Sequence, residues 1–242
     1  MTTVAIIPAR LGSTRLPEKP LLRETGKYLI QHTVEQARRA TRLDRVLVAT
    51  DDQRIVDACA SFGAECILTR PDHATGTDRL AEAAAAVGLA DDDIVVNVQG
   101  DEPEIPPTCI DELADLLARA HAPMATLATP IDPDQAADPN RVKVVCDLRG
   151  RALYFSRSVI PFDRDRTDPV EYCQHLGVYA YRAGFLRTYA ALPQAPAERA
   201  EKLEQLRVLQ HGHAIAVATV LYDGAGIDTP ADYAAFVRRH PG

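Results

Sequence analysis

Three cationic side chains lie close together near the amino terminus, at Arg10, Arg15 and Lys19. The residues between the two arginines include three small ones: Gly12, Ser13 and Thr14. Backbone N–H groups of small residues can approach an anion closely, and cationic side chains strengthen such hydrogen bonds. We therefore interpret this segment as an anion-binding loop whose natural ligand is phosphate. It has neither the G-x-x-x-x-G-K-[ST] nor the G-x-G-x-x-G pattern, which argues against a P-loop NTPase and a dinucleotide dehydrogenase.

Two carboxylates are candidates for binding a metal ion beside that phosphate. Asp101 follows a long apolar run, and Gly100 before it permits close approach of another group. Asp228 precedes Thr229, which is the better N-cap of the last helix, so Asp228 is available for a ligand. Its simplest alternative role is to interact with the helix dipole. Two oxygen ligands next to a phosphate favour Mg²⁺, which shares its coordination between protein, phosphate and water.

A third group of residues follows the alternation of a β-strand. The alternation places His175, Gly177, Tyr179 and Tyr181 on one face, where they would form a polar, aromatic wall. A lone histidine is more often structural than a ligand. Its aromatic neighbours nevertheless favour a pocket wall that could bind a sugar.

The first half of the chain alternates between buried strands and amphipathic helices. Strands are predicted at 4–7, 45–50, 65–68 and 93–99, with helices at 26–40, from 55 to Gly63, and from about 79. Units of this kind predict a doubly wound, mostly parallel α/β sheet. Charged loops are usually just solvated, but ligands of such sheets bind beyond the carboxyl ends of the strands. The basic loop and Asp101 would share that edge.

The second half predicts a smaller, mixed α/β portion. Its strand-like segments are 124–131, 142–147, 152–156, 176–181 and 215–221. One long helix is predicted over 197–211, with Ala200, Leu203, Leu206 and Leu209 directed inward. We expect one domain, 1–242, with one half at about 1–120 and the other at about 121–242.

Composition limits the class of protein. The 242 residues are 46% hydrophobic and have a formal net charge of −7, so no global basic field would attract nucleic acid or a membrane surface. Five cysteines, scattered and never in C-x-x-C spacing, predict reduced core residues rather than disulfides or a zinc site. No run of 18 apolar residues occurs, and we expect a soluble, cytoplasmic protein.

Eight segments, in order along nearly the whole chain, resemble one known family. They are RLGSTRLPEKP (10–20), HATGTDR (73–79), NVQGDEP (97–103), LYFSR (153–157), IP (160–161), HLGVY (175–179), LEQLR (203–207) and GIDTP (226–230). Together they resemble the signatures of the 3-deoxy-manno-octulosonate cytidylyltransferase (CMP-KDO synthetase) family. The basic loop alone would be shared with many sugar nucleotidyltransferases.

The resemblance implies transfer of CMP from CTP to 3-deoxy-D-manno-octulosonate (KDO), with release of pyrophosphate, for lipopolysaccharide biosynthesis. It also implies a nucleotide-diphospho-sugar transferase-like fold, Mg²⁺ as cofactor, a cytoplasmic location and a homodimer. The half at about 1–120 would bind the nucleotide. The half at about 121–242 would bind the sugar, form the dimer contact and supply a metal ligand.

The resemblance also implies a role for individual residues. Those expected to bind the CTP phosphates are Arg10, Ser13, Thr14, Arg15 and Lys19, and those near cytosine and ribose are Ala9, Thr75, Gly76 and Arg79. Those expected to contact KDO are Gln99, Arg157, His175, Tyr179 and Gln205, with Gln99 also beside the nucleotide. Asp101 and Asp228 would bind the metal and, with Arg15 and Lys19, form the catalytic set.

Two features depart from the family pattern, and two alternatives stay open. Glu18 adds a negative charge to the basic loop and should point to solvent, and the segment 163–173 is shorter than in some members. One alternative is a sugar nucleotidyltransferase that uses another acid sugar, such as the 8-amino analogue of KDO, or another base. The other is a nucleotide-binding regulator without turnover.

Overall fold

One mixed β-sheet runs through both halves of the chain. The computed structural model describes residues 1–12, 15–73, 75–165, 170–223 and 226–241. The strands in these residues are β1 (Thr3–Ala9), β2 (Arg45–Thr50), β3 (Glu65–Leu68), β4 (Ile94–Asn97), β5 (Met124–Ile131), β6 (Lys143–Cys146), β7 (Ala152–Ser156), β8 (Tyr172–Arg182) and β9 (Ile215–Thr219). Their order across the sheet is β3-β2-β1-β4-β8-β5-β9, and β6 and β7 form a hairpin attached to β8.

The first four strands are parallel, as the sequence predicts. β1 lies between β2 and β4, with Ile6 opposite Leu47 on one side and Asn97 on the other. Parallel sheets are covered on both faces, so their central strands are apolar on both sides. The segment from Val4 to Ile7 accordingly has no exposed surface. β1 therefore delivers the basic loop to the carboxyl edge of the sheet.

The second half extends this sheet with antiparallel pairing. β8 is antiparallel to both β4 and β5, while β9 runs parallel to β5. The pairing of β5 with β8 shifts between Thr126 and Leu127, because two residues of β8, Gly177 and Val178, are extra. The predicted mixed additions are thus confirmed, and the extra residues form a β-bulge beside β4.

Helices cover both faces of the sheet. They are α1 (Leu29–Ala37), α2 (Gln53–Ser61), α3 (Gly76–Ala86), α4 (Pro107–Arg119), α5 (Pro133–Ala136), α6 (Ala183–Ala191), α7 (Pro196–Glu201), α8 (Gln205–Gln210) and α9 (Pro230–Arg239), with a short 3-10 turn at Lys19–Leu21. α1, α2 and α4 pack in one core, and α3, α6 and α8 pack in the core on the opposite face. This arrangement confirms a doubly wound sheet.

A third, smaller apolar cluster joins the basic loop to the end of the chain. Leu16 of the loop packs with Ile227 and with Tyr233 and Phe236 of α9. Because Ile227 precedes Asp228, this cluster brings the carboxylate near the carboxyl terminus to the loop near the amino terminus.

The prediction of one long helix over 197–211 is wrong. The segment forms α7 and α8, and Lys202 between them has a left-handed backbone with φ of 55°. The carbonyl of Glu201 accepts a hydrogen bond from Arg157 Nε, and its carboxylate accepts hydrogen bonds from Ser156 Oγ and the Arg157 backbone N–H. These tertiary contacts override helix propensity. Leu203 and Leu206 are buried as expected, whereas Ala200 is exposed.

Other details of the prediction differ in smaller ways. α6 was not predicted, and α1 is shorter than the expected helix at 26–40. All five cysteines are free, as expected, but Cys146 is exposed rather than part of the core. No helix in the described ranges is long and apolar enough to cross a membrane.

Candidate active site

A cavity of about 350 Å³ lies at the carboxyl edge of the parallel strands. Its polar lining combines cations from the basic loop with carboxylates from two other loops. The lining residues predicted from the sequence are Ala9, Arg10, Arg15, Lys19, Thr75, Gly76, Arg79, Gln99, Asp101 and Asp228. Ser13 and Thr14, also expected here, lie outside the described residues. Every described residue of the expected nucleotide and metal sites therefore lines one cavity.

Lys19 connects the two carboxylates that line this cavity. Its Nζ donates hydrogen bonds to Asp101 Oδ2 at 2.8 Å, to the Ile227 carbonyl at 2.9 Å and to Asp228 Oδ1 at 3.3 Å. The preceding Glu18 has a left-handed backbone, with φ of 54°, and its carboxylate pairs with Arg54 on the exposed surface. The expectation that Glu18 points away from the anion loop is thus confirmed.

The two carboxylates come together because their loops are joined. The Ile227 backbone N–H donates to the Asp101 carbonyl at 2.8 Å. Thr229 caps α9 through the Asp232 N–H, as predicted, so Asp228 stays available and pairs with Arg15 at 3.0 Å. Both carboxylates thus face the cations of the basic loop.

The amino terminus of α3 forms another wall of the cavity. Thr75 and Asp78 make a capping box, and Gly76 begins the helix. Arg79 is buried, pairs with Asp51 at 3.1 Å and donates to Thr69 Oγ1. Because Arg79 is already held in place, it stiffens the wall that the family resemblance assigns to cytosine and ribose.

A second cavity, of about 330 Å³, adjoins the first and shares Pro8, Gly76 and Gln99 with it. Among its lining residues are four that the family resemblance assigns to the sugar: Gln99, His175, Tyr179 and Gln205. His175 and Gln205 are almost fully buried, and the rings of His175 and Tyr179 lie 5.4 Å apart. The two cavities therefore meet at the three shared residues, of which Gln99 has the polar side chain.

Burial keeps two residues of the second cavity, His175 and Tyr179, uncharged. It lowers the pKa of His175 to about 3, because the charged ring would lose its hydration. It also raises the pKa of Tyr179 well above its usual value, with the neighbouring Tyr181 adding to the shift. Both side chains are therefore neutral near pH 7 and offer hydrogen bonds rather than charge.

Arg157 is the one described residue of the predicted set that lines neither cavity. Its guanidinium donates to the carbonyls of Glu201 and Pro139 at 2.8 and 3.0 Å. In this arrangement Arg157 holds the turn between α7 and α8 in place. Its contact with the sugar stays a prediction.

Sequence reasoning missed several residues of the second cavity, namely Thr77, Asn97, Lys202 and Glu204. Asn97 is a polar residue at the end of the apolar strand β4, and the structure shows that it is buried. Because buried polar residues are uncommon, an asparagine at this position in the sequence could have indicated a binding site. Lys202 and Glu204 could not be found, because the continuous helix predicted there hides the turn that brings them to the cavity.

Known proteins with a similar sequence match almost the whole chain. A family model described as cytidylyltransferase matches residues 4–215. The 3-deoxy-manno-octulosonate cytidylyltransferase of Photobacterium profundum is 53% identical over 240 residues, covering 96% of each chain. That of Pseudomonas fluorescens is 54% identical over 238 residues, covering 94% of this chain and 93% of its own.

The chain belongs to the 3-deoxy-manno-octulosonate cytidylyltransferase family.

Solved structures agree with the membership of this cytidylyltransferase family. A CMP:2-keto-3-deoxy-manno-octonic acid synthetase complexed with CTP has a TM-score of 0.93 and 44% identity, covering 99% of this chain and 98% of its own. 4-Diphosphocytidyl-2C-methyl-D-erythritol synthase has a TM-score of 0.66 at 16% identity, covering 99% and 97%, and is similar in fold alone. The expected fold class and enzyme class, a nucleotidyltransferase, are therefore confirmed.

Proposed function

We propose that this chain transfers CMP from CTP to the anomeric hydroxyl of KDO, giving CMP-KDO and pyrophosphate for lipopolysaccharide biosynthesis. The observation that supports it best is the pair of adjoining cavities, one lined by cations and carboxylates and the other by polar and aromatic side chains together with Lys202 and Glu204. The relatives' names and the CTP complex of the similar synthetase support the same reaction.

The chemistry follows from bringing two anions together. The sugar hydroxyl must reach the α-phosphorus of the nucleotide in line with the departing pyrophosphate, so orientation and charge neutralisation supply most of the rate enhancement. Arg15 and Lys19 line the first cavity and would stabilise the negative charge of the departing pyrophosphate, and Gln99 lines both cavities. The reaction needs no nucleophile from the protein.

We propose Mg²⁺ as the cofactor, held by Asp101 and Asp228. The donor set fits, since both carboxylates contact the same ammonium nitrogen and so can share one cation. No group of three or more His, Cys, Asp or Glu side chains suited to a metal occurs in the described part of the chain. Phosphate and water would therefore complete the coordination, and the bound ion would lower the pKa of the sugar hydroxyl.

We also propose that the protein is a cytoplasmic homodimer. The surface that supports this is the β6–β7 hairpin with the loop after it, where Leu148, Leu153, Val159 and Phe162 are exposed. Within the described residues β6 is the one strand that pairs with β7, and a single bridge joins Arg151, just before β7, to Ala216 of β9. Light scattering of the wild type and of Phe162→Glu tests the proposal, which predicts a dimer for the first and a monomer for the second.

The experiment that tests the reaction is a pyrophosphate-release assay. CTP, UTP, ATP and GTP are each combined with KDO, 8-amino-KDO and a sialic acid, with Mg²⁺ and again with EDTA. We expect release with CTP, KDO and Mg²⁺ together. Release only with 8-amino-KDO would favour the related acid sugar, and silence in every combination would favour a binding protein without turnover.

A further inference from the structure

The β-bulge of β8 is held by a single side chain of the neighbouring strand. Leu127 pairs with Leu176 and Thr126 pairs with Tyr179, so Gly177 and Val178 are the extra residues of β8. Thr126 Oγ1 lies 2.7 Å from the Val178 carbonyl and 3.1 Å from the Leu176 carbonyl. Bulges next to active sites commonly aim a particular side chain, and this one adjoins the sugar cavity.

The same hydroxyl determines the hydrogen bonding of His175. Thr126 Oγ1 lies 3.1 Å from His175 Nε2. Because the threonine proton is directed to the bulge carbonyls, Oγ1 must accept from the ring, which places the ring proton on Nε2. Burial keeps His175 neutral by lowering its pKa to about 3. Nδ1 is then an acceptor without a proton, in a side chain that lines the cavity.

The ring of His175 is also fixed by its neighbours. Phe155 contacts it edge-on, with ring centroids 4.9 Å apart. The ring of Tyr179 is tilted against it, with centroids 5.4 Å apart. The orientation of Nδ1 is therefore set by one hydrogen bond and two aromatic contacts.

The bulge also orients the residue shared by both cavities. Gln99 Nε2 donates to the Gly177 carbonyl at 3.1 Å. That carbonyl lies between the Leu176 and Val178 carbonyls, both of which face Thr126 Oγ1. Holding the two outer carbonyls fixes the direction of the middle one, so Thr126 acts on Gln99 through the bulge.

We infer that Thr126 is a positioning residue of the sugar site, which fixes the Nε2–H tautomer of His175 and the orientation of Gln99. In this role it presents Nδ1 of His175 as an acceptor for a hydroxyl of the acid sugar. The inference rests on the proposed function for the identity of the sugar, while its structural part concerns the ligand-free protein.

The kinetic test compares three variants. Thr126→Val keeps the shape and removes the hydroxyl, Thr126→Ser keeps the hydroxyl, and Thr129→Val removes another buried hydroxyl of β5 whose residue lines neither cavity. Loss of two oriented hydrogen bonds should raise KM for KDO about tenfold in Thr126→Val. KM for CTP should stay within about twofold, and Thr126→Ser and Thr129→Val should resemble the wild type. An unchanged KM for KDO in Thr126→Val would overturn the inference.

The tautomer is measured separately by ¹⁵N NMR of the ring of His175, without substrate. We expect a protonated Nε2 and an unprotonated Nδ1 in the wild type and in Thr126→Ser. A protonated Nδ1 in the wild type would overturn the inference even if Thr126→Val does not fold. Because this measurement needs no sugar, its result is independent of whether KDO is the substrate, which the wild-type pyrophosphate assay decides.

Discussion

Lys19 Nζ donates a 2.8 Å hydrogen bond to Asp101 Oδ2, in the space where the proposed metal ion would bind. Asp228 Oδ1 lies 3.3 Å from the same nitrogen. In the ligand-free protein the ammonium therefore bridges both carboxylates, and Arg15 also pairs with Asp228. When CTP and Mg²⁺ bind, the ion would take over this role and free Lys19 for the phosphates.

Replacing Lys19 should separate metal binding from turnover. Lys19→Met removes the competing cation, so we expect Mn²⁺, a probe for Mg²⁺, to bind about tenfold more tightly without CTP. Turnover should fall about 100-fold or more, because the departing pyrophosphate loses a cation. Electron paramagnetic resonance and the pyrophosphate assay measure the two effects.

The control for Lys19→Met is Lys27→Met, which makes the same charge change at an exposed ion pair with Glu35. It should leave both measurements near their wild-type values. If Lys19→Met bound Mn²⁺ no better than the wild type, the two carboxylates would not be the metal site.

Arg15→Ala should lower kcat more than it affects sugar binding. Arg15 contacts Asp228 at 3.0 Å and, in the proposed reaction, would stabilise the departing pyrophosphate, so we expect kcat to fall roughly 10- to 100-fold. KM for KDO should stay within about twofold, and the thermal unfolding midpoint should not change, because exposed ion pairs contribute little to stability. Arg39→Ala is the control, because it removes an exposed arginine that is hydrogen-bonded to Gln36. Equal losses in kcat and in KDO affinity would assign the loop a structural role.

Gly100→Ala should destabilise the edge where β1 and β4 end. An added Cβ would lie 2.9 Å from the Pro8 carbonyl, a backbone atom that can move only with the strand. We expect a loss of about 1–3 kcal/mol in the free energy of unfolding, together with lower turnover because Asp101 follows directly. In Gly12→Ala an added Cβ meets no atom of the described residues within 4 Å, so urea unfolding should show a much smaller change. Equal stabilities of the two variants would contradict the close approach.

His175 should make the protein sensitive to mild acid. Its pKa is about 3 in the folded state, against an ordinary value of 6.5, so below pH 6.5 the unfolded chain binds a proton that the native state does not. The free energy of unfolding should therefore fall by about 1.4 kcal/mol for each pH unit between 6.5 and 3. Urea unfolding at pH 7.5 and 5.5 should show this extra loss in the wild type and not in His175→Gln. The same pH dependence in both proteins would contradict a buried, neutral His175.

Site residues that lie directly beside a predicted strand or helix could be identified from the sequence. Lys19 and Asp101 follow recognisable strands, and the edge rule for parallel sheets brings them together. Asp228 precedes a recognisable helix, but the contacts of Ile227 bring it to the other two. The turn at Lys202 was not predictable, because it depends on Glu201 accepting hydrogen bonds from Arg157, a residue far away in the chain. The role of Thr126 was equally hidden, since it arises from a register shift between two strands. Non-local hydrogen bonds thus set the parts of the sugar site that the sequence did not reveal.

The most direct test of the proposed reaction is ³¹P NMR of the wild-type enzyme with CTP, KDO and Mg²⁺. Attack of the sugar hydroxyl on the α-phosphorus predicts two products in equal amounts, pyrophosphate and a phosphodiester that joins CMP to KDO. Formation of CDP and orthophosphate, or CTP that stays unchanged while bound, would contradict the transfer of CMP between the two cavities.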